Sequence, residues 1–227
     1  MSTVQAQSCL ALIRSRGYWK VVIRPTVFNQ NKIAFPDLFD LVREKAVRLR
    51  GQPYPFVGTY AAAHPTREGQ DWIEFEGRFH EYLEFWRFYQ SGQFVHFFGI
   101  PSDWRQESQW GDEMDYIDTL YTFTEIFEFA ARLALSEAGT PMMHLEIDIV
   151  GLRNRKLSDA GTGRVFRSTD LYECRAEKWE WRRTEAQTKL IAEPRALAVQ
   201  AARDLFSRFD LRVSVEVLRS LQERIGR

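Results

Sequence analysis

The 227-residue sequence predicts an α+β fold, in which helices pack an antiparallel sheet that has a central aromatic hairpin; one helix is long and buried. Two β-rich runs flank Ser91-Gly92, which is a two-residue hairpin signal. Apolar residues recur at helical spacing over 115–137 and alternate with polar residues over 142–152. We expect a single domain over 1–227, in which 193–227 is either an integral part or a helical appendage.

The remaining elements of the N-terminal half follow from apolar spacing and turn residues. The sequence predicts a helix over 4–15, a strand over 18–25 and a helix over 36–51. Three prolines in 52–69 indicate a loop, and 71–76 is a strand candidate.

The C-terminal half alternates in the same way between strand and helix patterns. The strand over 142–152 has a mating strand over 171–183, which is rich in tryptophan and charge. Glu193-Pro194 begins a helix, and Val213-Ser214 leads into the last one.

The composition excludes several classes of protein. Hydrophobic residues make up 44% and aromatic residues 14% of the chain, which is too much apolar material for a disordered protein. Cys9 and Cys174 do not form a CxxC pair, so we expect inert thiols and a cytoplasmic location. The start of the chain lacks a signal-peptide pattern, and no apolar run reaches the 18 or so residues that span a bilayer.

The formal net charge of zero conceals an uneven distribution. Residues 1–56 carry 9 basic and 3 acidic side chains, and residues 149–227 carry 17 and 11, so each end is +6. Residues 57–102 carry 3 and 6, and residues 103–148 carry 2 and 11, giving −3 and −9. Either the basic ends pack near the acidic middle inside one molecule or all three segments are solvated faces, or the ends form a surface for nucleic acid or an acidic partner.

The hairpin suggests a ligand pocket. With a two-residue loop, Arg87 lies opposite His96 among aromatic side chains that include Tyr89. A charge in such surroundings needs a partner. The pair is therefore part of an internal polar network, or makes a cation–π contact with Tyr89, or binds an anion in a pocket.

The hairpin also suggests a partner surface, because both of its faces are largely apolar. Such a hairpin is either covered on both sides or uses one face, with Trp86 and Phe88, to bind a partner. Arg203, Arg208 and Arg219 on the last helices are candidates for the same role or for nucleic-acid contact. Acidic residues interleave with these arginines, and that pattern is equally typical of helices whose charged side chains only face solvent.

A metal-dependent hydrolase is the alternative hypothesis. His144, Glu146 and Asp148 share one face of a strand and can serve as metal ligands, and Lys178 on the mating strand completes a catalytic set with the two acids. The competing interpretation is a polar strand face paired with arginines. The sequence lacks GxxxxGK[ST], GxGxxG, HExxH and GxSxG, so we expect no cofactor.

Several segments resemble a family of bacterial proteins without an assigned activity. They are Leu49-Arg-Gly51, Tyr54-Pro-Phe56, the run Trp86-Arg-Phe-Tyr-Gln-Ser-Gly-Gln-Phe94, and Asp103-Trp104. The resemblance covers roughly residues 18–135. Similar segments occur in proteins that carry a Schlafen/AlbA-type nucleic-acid-binding module, which this chain lacks. The resemblance implies a bacterial cytoplasmic protein in antiphage defence or regulation and assigns no catalytic residue.

Together these patterns favour a non-enzymatic binding or sensing protein. The aromatic excess without a catalytic motif points to contacts with a protein partner or a second copy. Nucleic acid is a further candidate ligand, which the protein contacts through that partner. We expect no contact with a membrane.

Overall fold

A seven-stranded antiparallel sheet is the framework of this protein, as predicted. The structure is a computed structural model that describes residues 8–58, 65–79, 82–104, 113–158 and 172–225. In spatial order the strands are β11 (Lys178–Ala186), β9 (Met142–Val150), β1 (Tyr18–Pro25), β7 (Phe94–Gly99), β6 (Tyr82–Tyr89), β5 (Trp72–Phe79) and β4 (Arg67–Glu68). Two small pairs accompany it: β2 (Val47–Arg50) with β3 (Gln52–Tyr54), and β8 (Glu113–Asp115) with β10 (Lys156–Ser158).

Six α-helices lie within the described residues. They are α1 (Cys9–Ile13), α2 (Leu38–Lys45), α3 (Tyr116–Ala134), α4 (Gln187–Ala192), α5 (Pro194–Ser207) and α6 (Val215–Gln222). The predicted helix over 4–15 is represented by α1, and its residues 4–7 lie outside the described ranges.

Helix α3 is the long buried helix that the sequence predicts. On one side Phe123 meets the sheet, with its ring centroid 5.0 Å from Trp19 and 5.5 Å from Trp179. On another side Tyr116 packs against Phe206 of α5, with ring centroids 6.0 Å apart. Edge-on aromatic contacts of this kind add about 1 kcal/mol each beyond burial. The aromatic excess of the sequence is therefore used largely in the core between the sheet and α3.

The opposite face of the sheet has a much smaller cover. Cys9 and Ile13 of α1 are fully buried against Leu83 and Phe85 of β6. Ser8 caps α1 by accepting a hydrogen bond from the Ala11 N–H. Because α1 is short, much of this face remains open to solvent.

The hairpin between β6 and β7 exists, but its predicted register is wrong. Trp86 pairs with His96, whereas Arg87 pairs with Val95. The loop has three residues rather than two, and it ends at Gly92 with φ +83°. A three-residue loop with a left-handed glycine is a common hairpin connection. The shift of one residue places Arg87 and His96 on opposite faces of the sheet.

Two further predictions need correction. The helix predicted over 36–51 ends at Lys45, because residues 47–50 form β2 and turn at Gly51 to pair with β3. The strand predicted over 171–183 spans 178–186 instead; residues 172–177 contribute only an isolated bridge to Lys156, and residue 171 lies outside the described ranges.

We expect Gly92→Ala to destabilise the protein by about 2 kcal/mol, since the new Cβ would meet both a left-handed backbone and a close neighbour. That Cβ would lie 3.0 Å from the carbonyl oxygen of Ala138. Gly51→Ala is the matched control, because Gly51 has φ +88° but no atom within 4 Å of the added Cβ. Strain alone predicts a loss of about 1 kcal/mol there. Urea unfolding measures both, and equal losses would contradict the role of the Ala138 contact.

Candidate binding site on the outer face of the sheet

The outer face, defined as the sheet face opposite α3, carries charged side chains from three adjacent strands. In register, the rows across β1, β9 and β11 are Tyr18, Val150 and Lys178; Lys20, Asp148 and Glu180; and Val22, Glu146 and Arg182. Residues i and i+2 of a strand share a face, so antiparallel pairing brings together side chains that are far apart in sequence.

Asp148 is the centre of this outer-face network. Its side chain is only 4% exposed. Lys20 Nζ lies 3.6 Å and Lys178 Nζ 3.3 Å from the same oxygen, Oδ2, while Arg182 Nη2 lies 3.3 Å from Oδ1. A buried carboxylate requires such partners. Here three cations converge on one carboxylate, and two ammonium groups share one of its oxygens.

Two glutamates complete the outer-face network and affect its protonation. Glu146 accepts a hydrogen bond from Lys20 at 2.5 Å, and Glu180 lies 2.8 Å from Arg182 and 2.6 Å from Lys178. Hydrogen bonds from Arg182 and Lys178 lower the pKa of Glu180 to about 2. Glu180 in turn raises the pKa of Lys178, which keeps that ammonium group protonated at neutral pH.

A hollow of 260 Å³, called here the outer cleft, lies at the Lys178 end of the network. Its lining consists of Arg14, Tyr18, Lys20, Phe97, Asp148, Val150 and Lys178. The lining has three cations and one acid, so its formal charge is +2. The rings of Tyr18 and Phe97 lie 6.2 Å apart and are half-buried, so the cleft joins an aromatic surface to a cationic one.

The residues predicted as metal ligands share this face, as expected, but they do not gather around a common point. Glu146 and Asp148 are paired with cations, and His144 Nδ1 lies 3.1 Å from Thr184 Oγ1. Among the residues that the structure describes, no three His, Cys, Asp or Glu side chains are arranged to hold a metal. Lys178 Nζ does lie 3.3 Å from Asp148 Oδ2, and a catalytic role of the two acids with Lys178 stays a prediction.

Arg87 lies on the outer face, away from His96, and has its own acidic partner. Its Nη2 donates to Oε2 of Glu74 at 2.5 Å, and its guanidinium lies 4.0 Å from the centroid of Trp72. Its Nη1 is also 3.5 Å from the Tyr89 hydroxyl. The predicted pocket of Arg87 and His96 is thus replaced by an ion pair stacked on an aromatic ring.

His96 lies on the α3 side in a buried polar cluster. Nδ1 is 3.2 Å from the Tyr54 hydroxyl, and Nε2 is 3.4 Å from Glu84 Oε2. Burial raises the pKa of Tyr54 well above its usual value, which keeps the phenol neutral beside His96. Within the described residues, His96 Nε2 and Glu84 Oε1 have no hydrogen-bond partner. The polar-network interpretation of His96 is therefore the one that the geometry favours.

Trp86 and Phe88, predicted to contact a partner, belong instead to the core. Both are fully buried. The Trp86 indole donates to the carbonyl oxygen of Phe56 at 2.8 Å and stacks with Phe39 of α2 at 6.1 Å. The prediction of exposed aromatic anchors was wrong because α2 and the 52–58 segment cover this face of the hairpin.

The three predicted arginines of the last helices are exposed. Arg203 lies on α5, Arg208 follows it, and Arg219 lies on α6. Arg219 also lines a 530 Å³ groove between the α4–α5 junction and α6, whose charged lining is mixed: Glu128, Glu193, Arg195, Arg219 and Glu223. A role of these arginines in partner or nucleic-acid contact stays a prediction.

Sequence reasoning missed a second buried ion pair, because it placed Arg50 in a helix. Arg50 of β2 donates from Nε to Glu125 Oε1 of α3 at 3.1 Å, and it also pairs with Asp118 and Thr122. Glu125 is only 3% exposed. Burial raises its pKa, although Arg50 opposes that shift.

Comparisons with family models, curated proteins and solved structures find no match to this chain. The resemblance to a bacterial family therefore stays a prediction. In the described residues, no helix combines the length and apolar character that a membrane crossing requires.

We expect Arg50→Met to destabilise the protein by about 3 kcal/mol at neutral pH, because it leaves the Glu125 carboxylate buried without its cation. The loss should shrink as pH falls. Since the pKa of Glu125 is raised in the folded protein, protonation removes a penalty that exists only above the unfolded value.

The control is Arg43→Met, because Arg43 pairs with an exposed Asp40 at 2.6 Å. A loss below about 0.5 kcal/mol is typical of such surface pairs. Chemical unfolding at several pH values measures both variants. A pH-independent loss for Arg50→Met would refute the assignment to Glu125.

Proposed function

We propose that this protein acts by binding rather than by catalysis, and that the outer cleft takes a phosphate-bearing ligand with an aromatic ring, such as a nucleotide. The observation that carries the proposal is the convergence of Lys20 and Lys178 on one oxygen of Asp148. Each ammonium group has three N–H donors and meets Asp148 and one glutamate, so a donor of each is left for a phosphate.

The electrostatics of the cleft favour an anion. The carboxylate of Asp148 is buried, whereas Arg14 is exposed and Lys178 is 38% exposed at the side chain. The cations therefore reach solvent while the acid does not. Glu146 and Glu180 at the margin reduce the positive charge without entering the lining. The raised pKa of Lys178 suits an anion-binding cation better than a general base.

The aromatic part of the cleft favours a ligand with a ring. Tyr18 and Phe97 pack against the cluster of Cys9, Ile13, Leu83 and Phe85, which holds their rings in place. Bases stack on aromatic side chains of open sheets, and each stacked base contributes about 1–3 kcal/mol. A free phosphate would use only the cations, whereas a nucleotide would use both halves of the cleft.

A protein partner is the second candidate function, and it is favoured by an exposed apolar patch. Val27 is 64%, Phe28 78% and Met142 40% exposed. The Thr26 N–H donates to the Met142 carbonyl oxygen at 3.3 Å, which ties the two segments together. Exposed apolar patches commonly mark interaction sites. Such contacts also suit the cytoplasmic defence or regulatory role that the family resemblance implies.

Calorimetric titration with nucleoside monophosphates tests the nucleotide proposal. We expect binding of at least one of them, weaker binding of inorganic phosphate, and no measurable binding of the matching nucleoside. Lys20→Gln should weaken binding at least about tenfold, since a charge-assisted hydrogen bond contributes roughly 1.5–3 kcal/mol.

Two further variants sharpen that test. Lys189→Gln is the matched control, because Lys189 is an exposed, paired lysine on α4 outside the cleft lining. Its affinity should equal that of the unmodified protein. Phe97→Leu should weaken nucleotide binding more than phosphate binding. Equal losses for Lys20→Gln and Lys189→Gln, or no binding of any nucleotide, would reject the site.

A further inference from the structure

Strand β11 ends the sheet with a long edge. It has nine residues, whereas β4 at the other end has two. Its inner edge pairs with β9 over the full length, and no described residue pairs with its outer edge. An edge of this length presents a regular row of backbone donors and acceptors to another strand.

The side chains of β11 suit one particular strand. Lys178, Glu180, Arg182 and Thr184 alternate along its outer face. We propose that the occupant of this edge is a second copy of this chain, with the two β11 strands antiparallel about a two-fold axis at Trp181. Each Glu180 then faces Arg182 of the other copy, which gives two opposite-charge pairs.

Neighbouring registers are disfavoured by charge. A shift of two residues in one direction places Glu180 opposite Glu180, and a shift in the other direction places Arg182 opposite Arg182. Like charges directly opposite each other destabilise a sheet. A shift of one residue would turn the buried tryptophan side of one copy toward the charged outer face of the other.

The remaining charges in the proposed register are compatible with pairing. Glu177 of one copy comes opposite Glu185 of the other, but each already has a cation of its own. Glu177 lies 3.5 Å from Arg153, and Glu185 lies 2.9 Å from Lys189. Charged side chains usually discourage edge pairing; here their alternation selects a single self-complementary register.

Pairing of this kind has a structural consequence. A two-fold axis perpendicular to the sheet joins the two outer faces into one surface. Because such an axis keeps each face on its own side, the two outer clefts then lie on the same side of a continuous fourteen-stranded sheet. They lie near the junction, since Lys178 belongs both to the cleft lining and to β11. The assembly does not depend on what the clefts bind.

Light scattering coupled to size exclusion tests the dimer with charge variants. We expect a dimer for the unmodified chain and monomers for Glu180→Arg and for Arg182→Glu, since each variant places two like pairs across the axis. An equimolar mixture of the two variants should form a 1:1 heterodimer, because the arginine introduced in one variant then meets the glutamate introduced in the other. The double variant should again be a dimer. Arg43→Glu on α2, which packs on β6 away from β11, is the control and should remain dimeric.

Circular dichroism checks that each variant is folded, and hydrogen exchange of the unmodified chain gives a test that needs no variant. Amides of β11 should become more protected as protein concentration rises, whereas those of β1 in the middle of the sheet should not change. A monomeric unmodified chain, single variants that stay dimeric, or a mixture that fails to pair would each overturn the proposal. Concentration-independent exchange of β11 would do the same.

Discussion

Strand β1 holds the two parts of the sheet together, and both the core and the outer cleft depend on its pairing. It pairs with β7 of the hairpin on one side and with β9 on the other. Trp19 points into the core against α3, while Tyr18 and Lys20 point to the outer face. β1 therefore joins the hairpin to the β9–β11 ribbon, and its pairing brings Lys20 and Tyr18 next to Asp148 and Val150.

Ion pairs between distant segments also connect the basic ends of the chain to its acidic middle. Acids of residues 103–148 bind cations from both ends: Asp103 with Arg155, Asp118 and Glu125 with Arg50, Glu128 with Arg195, and Glu146 and Asp148 with Lys20, Lys178 and Arg182. The uneven distribution is thus balanced in large part within one molecule. Around Asp148 the cations Lys20, Lys178 and Arg182 are matched by Asp148, Glu146 and Glu180, so the excess positive charge of the outer cleft comes from Arg14.

The sequence was sufficient for elements that repeat a pattern over many residues, such as α3 and β9. It was insufficient where a single residue determines the register of a strand or the end of a helix. A third loop residue at Gly92 moved His96 to the face opposite Arg87, and a left-handed turn at Gly51 converted the end of a predicted helix into β2. Hydrophobic periodicity does not distinguish loops of two and three residues, and a glycine with positive φ occurs in both. Both glycines indicate a turn in the sequence, but the type of turn depends on how the neighbouring strands pair.

Only part of the candidate site could be predicted from the sequence, for a related reason. Alternation along β9 predicts correctly that His144, Glu146 and Asp148 share a face, because that relation lies within one strand. Their partners come from β1 and β11, and the register between strands decides whether an acid meets a metal, an arginine or a lysine. Lys20 of β1 follows no pattern in the sequence that marks it as a site residue, yet with Lys178 it pairs with the acids of β9 and lines the cleft that we propose for an anion. The chemistry of an open sheet face is therefore a property of adjacent strands rather than of any one segment.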